Sequence, residues 1–484
     1  MNPLRALSEL LARRVQAVLR PPKWVMAYGM RFMPFADAAS PELPIGRLLR
    51  LSLFQAVIGM VTTLLVGTLN RVMILELGIP AWWVAFAVGA PLILAPLRTV
   101  VGYRSDTHPS VLGLKRLPYL WMGTLLLFGG LSIMPFALLL LSDPTPNTLW
   151  IGRLGMTLTF MLVGLGLQVT QTAGMALATD LATEEKRPSV VALLHSMLLL
   201  GMVTSSVIYG FLLQDFSPKV LVQVIQGSAV TVVVFNLVSL WKQEARQARR
   251  APRAAGGFSR SLKRLLEQPQ MVRFLWTVAL GTCALTMQDI LIEPFGGQVL
   301  GMSVGQTSSL NALSAGGAFV AFALAAMWLR QGVHACRLAG CGLLLALPAF
   351  VFLIFSVPLH SVPLFQSGAC LLGFGTGLFS VGTLVTAMSY QDKEFVGLGL
   401  GAWGAVHATA GGVGAVMAAL LRDAVGHWTA QGAMGEVMDN VATGYSFVFQ
   451  FEIYLVFATL VALGPLVGRV RRASGMQQGR FVSV

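Results

Sequence analysis

Charge is what this chain has least of. Only 11% of its 484 residues are Asp, Glu, Lys or Arg, against roughly a quarter in a soluble globular domain. A chain so poor in charge cannot clothe its surface for water, which excludes an ordinary soluble enzyme or soluble binding module. Cysteine is scarce as well: Cys283, Cys336, Cys341 and Cys370 are the four present, and none forms a CxxC pair. A zinc ribbon or dithiol redox motif is thereby excluded, and we read the four as small buried packing residues. The sequence also lacks a nucleotide-binding glycine loop, a metal-ligand cluster and a nucleophile–base arrangement, so it predicts neither an enzyme nor a bound metal. The polar–apolar alternation of a membrane β-barrel is missing. No secretory signal peptide is expected, because the first long apolar run begins only near residue 48, after a basic stretch.

What the chain has instead is hydrophobic length. Hydrophobic residues make up 55% and the mean hydropathy is +0.73. Twelve apolar runs predict membrane-crossing helices at about 48–69, 81–102, 117–141, 150–177, 188–213, 219–241, 271–295, 303–327, 337–357, 362–386, 396–421 and 446–468, each long enough to span a hydrocarbon core of roughly 30 Å. The basic residues are sorted between the connecting segments. Those on the side of the N-terminus hold 27 of the 34, and the opposite loops hold Arg71, Lys219 and Arg422. Arg50, Arg98, Arg153 and Arg273 fall within spans, mostly near ends where they can snorkel. By the positive-inside rule both termini are expected in the cytoplasm. The net charge of +14 then reads as a topology signal and an attraction to anionic lipids, not as a nucleic-acid groove. Trp82, Trp83 and Trp150 flank one expected interface, and Trp241 and Trp328 the other.

The organisation expected is a cytoplasmic arm at 1–47, a six-helix half at 48–241, a basic linker at 242–270, a second six-helix half at 271–468 and a cytoplasmic tail at 469–484. The arm carries LRALSELLARRVQAVLRPP at 4–22, a basic amphipathic helix suited to a membrane surface or a partner helix. The linker carries SLKRLLEQP, a short interfacial helix, and its length divides the twelve spans into six and six. That all-α arrangement is the architecture of major facilitator transporters, in which two halves rock about a midplane site.

Several polar residues interrupt the apolar runs. GYRSDTHPSVLGLKR at 102–116 resembles the major facilitator signature loop, with Gly102 for close helix approach, Asp106 to pair with a cation or a helix N-terminus, and Lys115 and Arg116 among headgroups. Its counterpart in the second half, WLRQGVHACR at 328–337, lacks the acid. Gln55, Gln168, Gln171, Thr170, Thr172 and Asn311 can each bridge helices for about 1 kcal/mol. His195 and His407 are the histidines inside spans. An imidazole there can ligate the magnesium of a chlorin ring, relay a proton or hydrogen-bond a neighbour. Gly397–Gly401 and Ala408–Gly412 have small-xxx-small spacing, which permits close helix packing or a smooth face for a flat ring. In TMQDILIEPFGG at 286–297, Asp289 and Glu293 fall one turn apart on one helical face, and Pro294 with Gly296 and Gly297 is expected to stop the helix. Like charges there oppose joint ionisation. The pair can serve proton coupling, grip a partner, or latch onto the first half, where Arg71 and Arg153 are the available cations.

Four strings, GTLNRVMILELGIPAWW (67–83), PLRTVVGYRSDTHPSVLGLKRLPYLWMGTLLLFGGL (96–131), QTAGMALATDLATEEKRP (171–188) and MQDILIEPFGGQVLGMSVGQT (287–307), resemble the PucC/LhaA family of light-harvesting assembly factors, the bacteriochlorophyll-delivery branch of the major facilitator superfamily. RFMPFADAASPELPIGRLLRLSLFQ (31–55) is similar to the LhaA side, which serves the core antenna. The resemblance implies a protein of the intracytoplasmic photosynthetic membrane that helps assemble antenna α and β polypeptides with bacteriochlorophyll and carotenoid. It adds the reaction centre and pigment-synthesis enzymes as further partners. It singles out Asn70, Arg71, Glu76, Asp106, Arg116, Asp180, Gln288, Asp289 and Glu293 as motif positions for a gate or partner contact; His195 and His407, from their place inside spans, are the candidate pigment ligands. The competing reading is an alternating-access transporter of a tetrapyrrole or other amphipathic solute. The scarcity of mid-span charge disfavours a charged hydrophilic substrate.

Overall fold

The computed structural model describes residues 43–93, 95, 96, 98, 101, 114, 116–142, 146–183, 186–244, 266, 267, 269–388, 393–431 and 440–479. The N-terminal arm, Gly102, Asp106 and Lys115 of the signature loop, and most of the basic linker with its expected interfacial helix lie outside the described residues.

Twelve helical elements follow one another among the described residues. In the first half they are α1 Ile45–Leu75, α2 Ala81–Ile93, α3 Leu117–Ser142, α4 Pro146–Leu181, α5 Arg187–Leu212 and α6 Pro218–Leu240. In the second half they are α7 Gln270–Gln298, α8 Val304–Arg330, α9 Ala335–Phe355, α10 Val362–Met388, α11 Lys393–Ala430 and α12 Val441–Gly479. Eleven are long and apolar enough to cross a membrane, and α2 is the shorter exception. The architecture is the expected all-α membrane bundle. We call the side where α1 starts the tail side and the opposite one the far side.

Helix ends are set by local chemistry. Ser303 caps α8 reciprocally, its hydroxyl accepting from the Gln306 N–H while the Gln306 side chain accepts from the Ser303 N–H. Ser217 caps α6 ahead of Pro218. Beyond α1 the chain reverses at Gly78 (φ 60°), and the Ile79 N–H returns to the Met73 carbonyl at 3.0 Å. Glycine alone adopts that left-handed conformation without strain.

Three expected boundaries are wrong for physical reasons. The run at 48–69 continues to Leu75 through a π-helical stretch, Thr63–Leu69. Asn70 and Arg71 are therefore buried helical residues rather than loop residues. Arg422, also read as a loop cation, lies inside α11, where Asp423, Gln298 and the ring of Tyr445 hold its guanidinium. α7 does not run as one helix to Pro294. It leaves α geometry after Thr286, makes a 3-10 turn over Met287–Ile290 and resumes as Ile292–Gln298. Pro294 sits in the first turn of that second piece, where its missing N–H is no loss, and Gly296 and Gly297 are helical too.

The halves meet along two glycine seams. A methyl group built on Gly412 of α11 would lie 2.8 Å from the Gly89 carbonyl of α2, and one on Gly305 of α8 would lie 2.6 Å from the Gly210 carbonyl of α5. Such backbone approach supplies the dispersion contacts that replace the hydrophobic effect between helices in lipid.

Candidate functional site

The far-side seam is built from α1 and the broken end of α7. Asn70 donates its amide to the Ile290 carbonyl at 2.6 Å, and Arg71 donates to the Met302 carbonyl at 3.3 Å. Arg71 also pairs with Glu76 at 3.2 Å and lies against Gly297. Glu293 is fully buried. It accepts a hydrogen bond from Asn311 of α8, faces Gly67 of α1 and is within electrostatic range of Arg71. Close by, the Trp82 N–H donates to Asp423 at 2.9 Å, joining α2 to α11. The cross-half hydrogen bonds seen among the described residues all lie on this side.

Asp289 and Glu293 do not share a face. Four residues through a 3-10 turn advance about 120° beyond a full turn, against roughly 40° in an α-helix. Asp289 therefore faces α12, within electrostatic range of Glu452, while Glu293 turns to the first half. Arg153, offered as a second cation for the pair, instead sits over the rings of Trp83 and Trp150 at 5.6 and 5.7 Å. Gln288 is buried and donates to the Leu285 carbonyl at 3.0 Å.

A second constellation lies between the halves toward the tail side. Arg98 does not snorkel. Its Nε donates to Gln168 and its Nη2 to Gln171, at 2.6 Å, both on α4. His407 of α11 is within electrostatic range of Arg98 and of His195 on α5. His195 donates from Nδ1 to the Val191 carbonyl at 2.9 Å, which in the neutral ring leaves the lone pair on Nε2. Its ring stacks on Phe322 of α8 at 6.2 Å, and Trp403 lies 5.1 Å from His407.

The third constellation closes the tail side of the first half. Arg116 is buried rather than among headgroups and pairs with Asp180 at 3.1 Å. Glu244, at the head of the linker, accepts the N–H groups of Arg116 and Leu117 and so caps α3. Of the other expected bridges, Gln55 donates to the Met175 sulfur at 3.2 Å, whereas Thr172 bonds back to the Gln168 carbonyl of its own helix and the Thr170 hydroxyl has no hydrogen-bond partner among the described residues. The cysteines are less buried than expected, Cys341 being exposed and the others intermediate, because α9 turns Cys341 outward. No metal-ligating cluster is found among the described residues.

Glu452 escaped the sequence reading. It is fully buried, and neither carboxyl oxygen has a hydrogen-bond partner among the described residues. A lone acid in the apolar run VFQFEIYL was the available signal, since intramembrane carboxylates are functional candidates by default. Arg98 was seen, but its inward orientation was not legible.

The family model described as PUCC protein matches residues 68–471. A protein of Rhodobacter capsulatus described as "Uncharacterized protein in puhA-bchM intergenic region" is 47% identical over 92% of this chain and 94% of its own length. "Protein PucC" of Rhodovulum sulfidophilum is 47% identical over 87% of this chain and 92% of its own. Among solved structures, the nucleoside transporter NupG (D323A mutant) superposes with a TM-score of 0.65 at 12% identity, covering 87% of this chain and 99% of that one. At that identity the likeness speaks for the fold alone.

Proposed function

Because this chain belongs to the PucC protein family, we propose that it is an assembly factor for bacterial photosynthetic antenna, acting in the inner (intracytoplasmic) membrane with both termini cytoplasmic. In this reading it receives bacteriochlorophyll, with carotenoid beside it, and presents the pigment to antenna α and β polypeptides of the core complex around the reaction centre. The observation that supports it is the stacking of His195 of α5 on Phe322 of α8, which sets a candidate pigment ligand where the two halves meet.

The residues present suit a magnesium chlorin. His195 is oriented through Nδ1 and leaves Nε2 for the metal. Phe322 and Trp403 offer flat apolar faces. The ring itself brings the magnesium that an imidazole ligates. This chain's part is to bind, orient and shield the pigment. The exposed apolar flanks of α3, α4 and α6, with Phe136, Leu158 and Val230 among their outward residues, suit single-span helical partners, and the basic linker suits anionic lipid.

Purification in mild detergent tests the reading. Co-purifying bacteriochlorophyll, carotenoid or antenna polypeptide is the expected result, and a His195→Leu variant should lose pigment. A colourless protein that exchanges an amphipathic solute across liposomes would overturn it in favour of the transporter. That second reading draws on one observation: the cross-half hydrogen bonds described gather on the far side, as in one state of an alternating-access cycle.

A further inference from the structure

Arg71 lies on the same face of α7 as Glu293 without bonding to it. Its Nε and Nη2 are each 3.3 Å from the place a methyl group on Gly297 would take. Gly297 and Glu293 are four residues apart on the helical piece Ile292–Gln298, and such positions share a face about 6 Å apart. Arg71 directs Nη1 to Glu76 and Nη2 to the Met302 carbonyl, at 3.2 and 3.3 Å. Its Nε is buried and has no hydrogen-bond partner among the described residues. Glu293 accepts from Asn311 on Oε1, and its Oε2 is buried and equally unpartnered. The seam therefore holds an unused donor and an unused acceptor one helical turn apart, on groups whose opposite charges attract.

The two acids within reach of Arg71 differ in burial. The Glu76 side chain is 39% exposed, whereas Glu293 is fully buried. An exposed carboxylate can be left unpaired at little cost, because water solvates it. A buried one left ionised and unpaired is costly. Among the described residues Arg71 is the one charged group turned toward Glu293. Asn311 of α8 is neutral, Tyr445 of α12 packs on Phe295 and donates to Gln298, and Asp289 of α7 itself is turned toward Glu452. Two arrangements thus avoid a lone buried charge. In one, Glu293 carries a proton and Arg71 holds Glu76. In the other, Glu293 is ionised and holds Arg71, and Glu76 is left to water.

We propose that Glu293 is a proton-binding site and that its proton decides the partner of Arg71. With the proton bound, the guanidinium holds Glu76, which is the bonding seen here. With the proton released, Arg71 turns to Glu293. The step is a proton transfer from the Glu293 carboxyl to water: the O–H bond breaks, its electron pair stays on the carboxylate, and Arg71 supplies the counter-charge. The Arg71 bond to Met302 ties α1 to the second half, so the turn of the guanidinium loosens that tie. Proton occupancy thereby sets how firmly the far side is closed. The inference does not depend on the pigment reading.

Infrared difference spectra of the full chain in phosphatidylcholine nanodiscs, recorded through an acid-to-alkaline titration, test the proposal. The wild type should show a protonated-carboxyl C=O band that Glu293→Gln lacks and that Asp289→Asn and Glu452→Gln keep. That band should fade as the pH rises. Glu76→Gln releases Arg71 and should let the band fade at a proton concentration about ten-fold or more higher. Arg71→Gln should hold the band to a lower proton concentration. With Arg71→Gln in place, adding Glu76→Gln should move the band no further, which separates an exchange of partners from plain repulsion between two acids. A Glu293 band that is absent, or that survives the whole titration, overturns the proton site. A Glu76→Gln shift that is missing, or equally large without Arg71, overturns the exchange and with it the proposal. Should Arg71→Gln fail to fold, the size of the Glu76→Gln shift decides alone, because an exposed carboxylate acting through water moves a neighbour by much less than about ten-fold.

Discussion

The side-chain amide of Asn70 in α1 donates to the main-chain carbonyl of Ile290 in α7, at 2.6 Å, with both partners buried. The bond is available because the residue four positions on is Pro294, which has no N–H to offer the Ile290 carbonyl. The carbonyl that the proline leaves open thus becomes a tie between the halves.

Removing that tie leaves a buried carbonyl unpaired. Asn70→Leu should cost about 1–2 kcal/mol, seen as a lower midpoint of thermal unfolding in mild detergent. An unchanged midpoint would mean that the halves are held by packing alone.

Gly67 faces the Asn311 amide and the Glu293 carboxyl, and any Cβ there would overlap both. Gly67→Ala should lower the unfolding midpoint by an amount corresponding to roughly 1–3 kcal/mol. Gly46→Ala on the same helix is the control, since a methyl there meets nothing within 4 Å and should be neutral or mildly stabilising.

The tail-side ion pair is asymmetric: the Arg116 side chain is 6% exposed and that of Asp180 is 45% exposed. Arg116→Gln removes the guanidinium from Asp180 and weakens the packing around Glu244, and should cost about 1–3 kcal/mol. Asp180→Asn should cost less, because water already reaches the carboxylate. Paired melting curves give the comparison, and an equal or reversed order would contradict the burial argument.

Glu452 has no carboxyl hydrogen bond of full geometry among the described residues, and what faces it is the Gln288 main chain and the Asp289 carboxyl. Replacing its carboxyl by an amide relieves the encounter with Asp289, so Glu452→Gln should unfold at the same temperature or higher. A marked loss of stability would show that the acid accepts bonds that hold α12 in place.

Topology is the simplest check. In a cysteine-free background, Leu359→Cys on the far side should react with an impermeant maleimide added outside intact cells, and Trp241→Cys on the tail side should not. Both native side chains are exposed, at 64% and 57%, so access is not limiting. The reverse pattern would invert the assignment of the tail side to the cytoplasm.

Legibility differed between fold and site. The runs behind α3, α5, α6, α9 and α10 were readable nearly to the residue, since transfer into hydrocarbon is a sum over local side chains. The ends of α1, α4, α11 and α12 were underestimated because polar residues at a helix end lower the average without breaking the helix. Asp289 and Glu293 were misjudged because Pro294 was read as ending the helix, whereas the disturbance falls in the turn before it, where the 3-10 geometry at Met287–Ile290 changes the angular spacing. Arg116 was read as a headgroup residue because its partners Asp180 and Glu244 are 64 and 128 positions away.

By itself the sequence determined the all-α membrane bundle, the sorting of basic residues between connecting segments, and the family, because each rests on local composition or on strings read in order. Only the tertiary structure decided which polar groups meet. In a bundle whose outer faces are as apolar as its inner ones, periodicity does not fix the rotation of a helix about its axis. Packing against neighbours sets that rotation, and with it set Arg98, beyond α2, against Gln168 and Gln171 of α4, and His195 of α5 against Phe322 of α8.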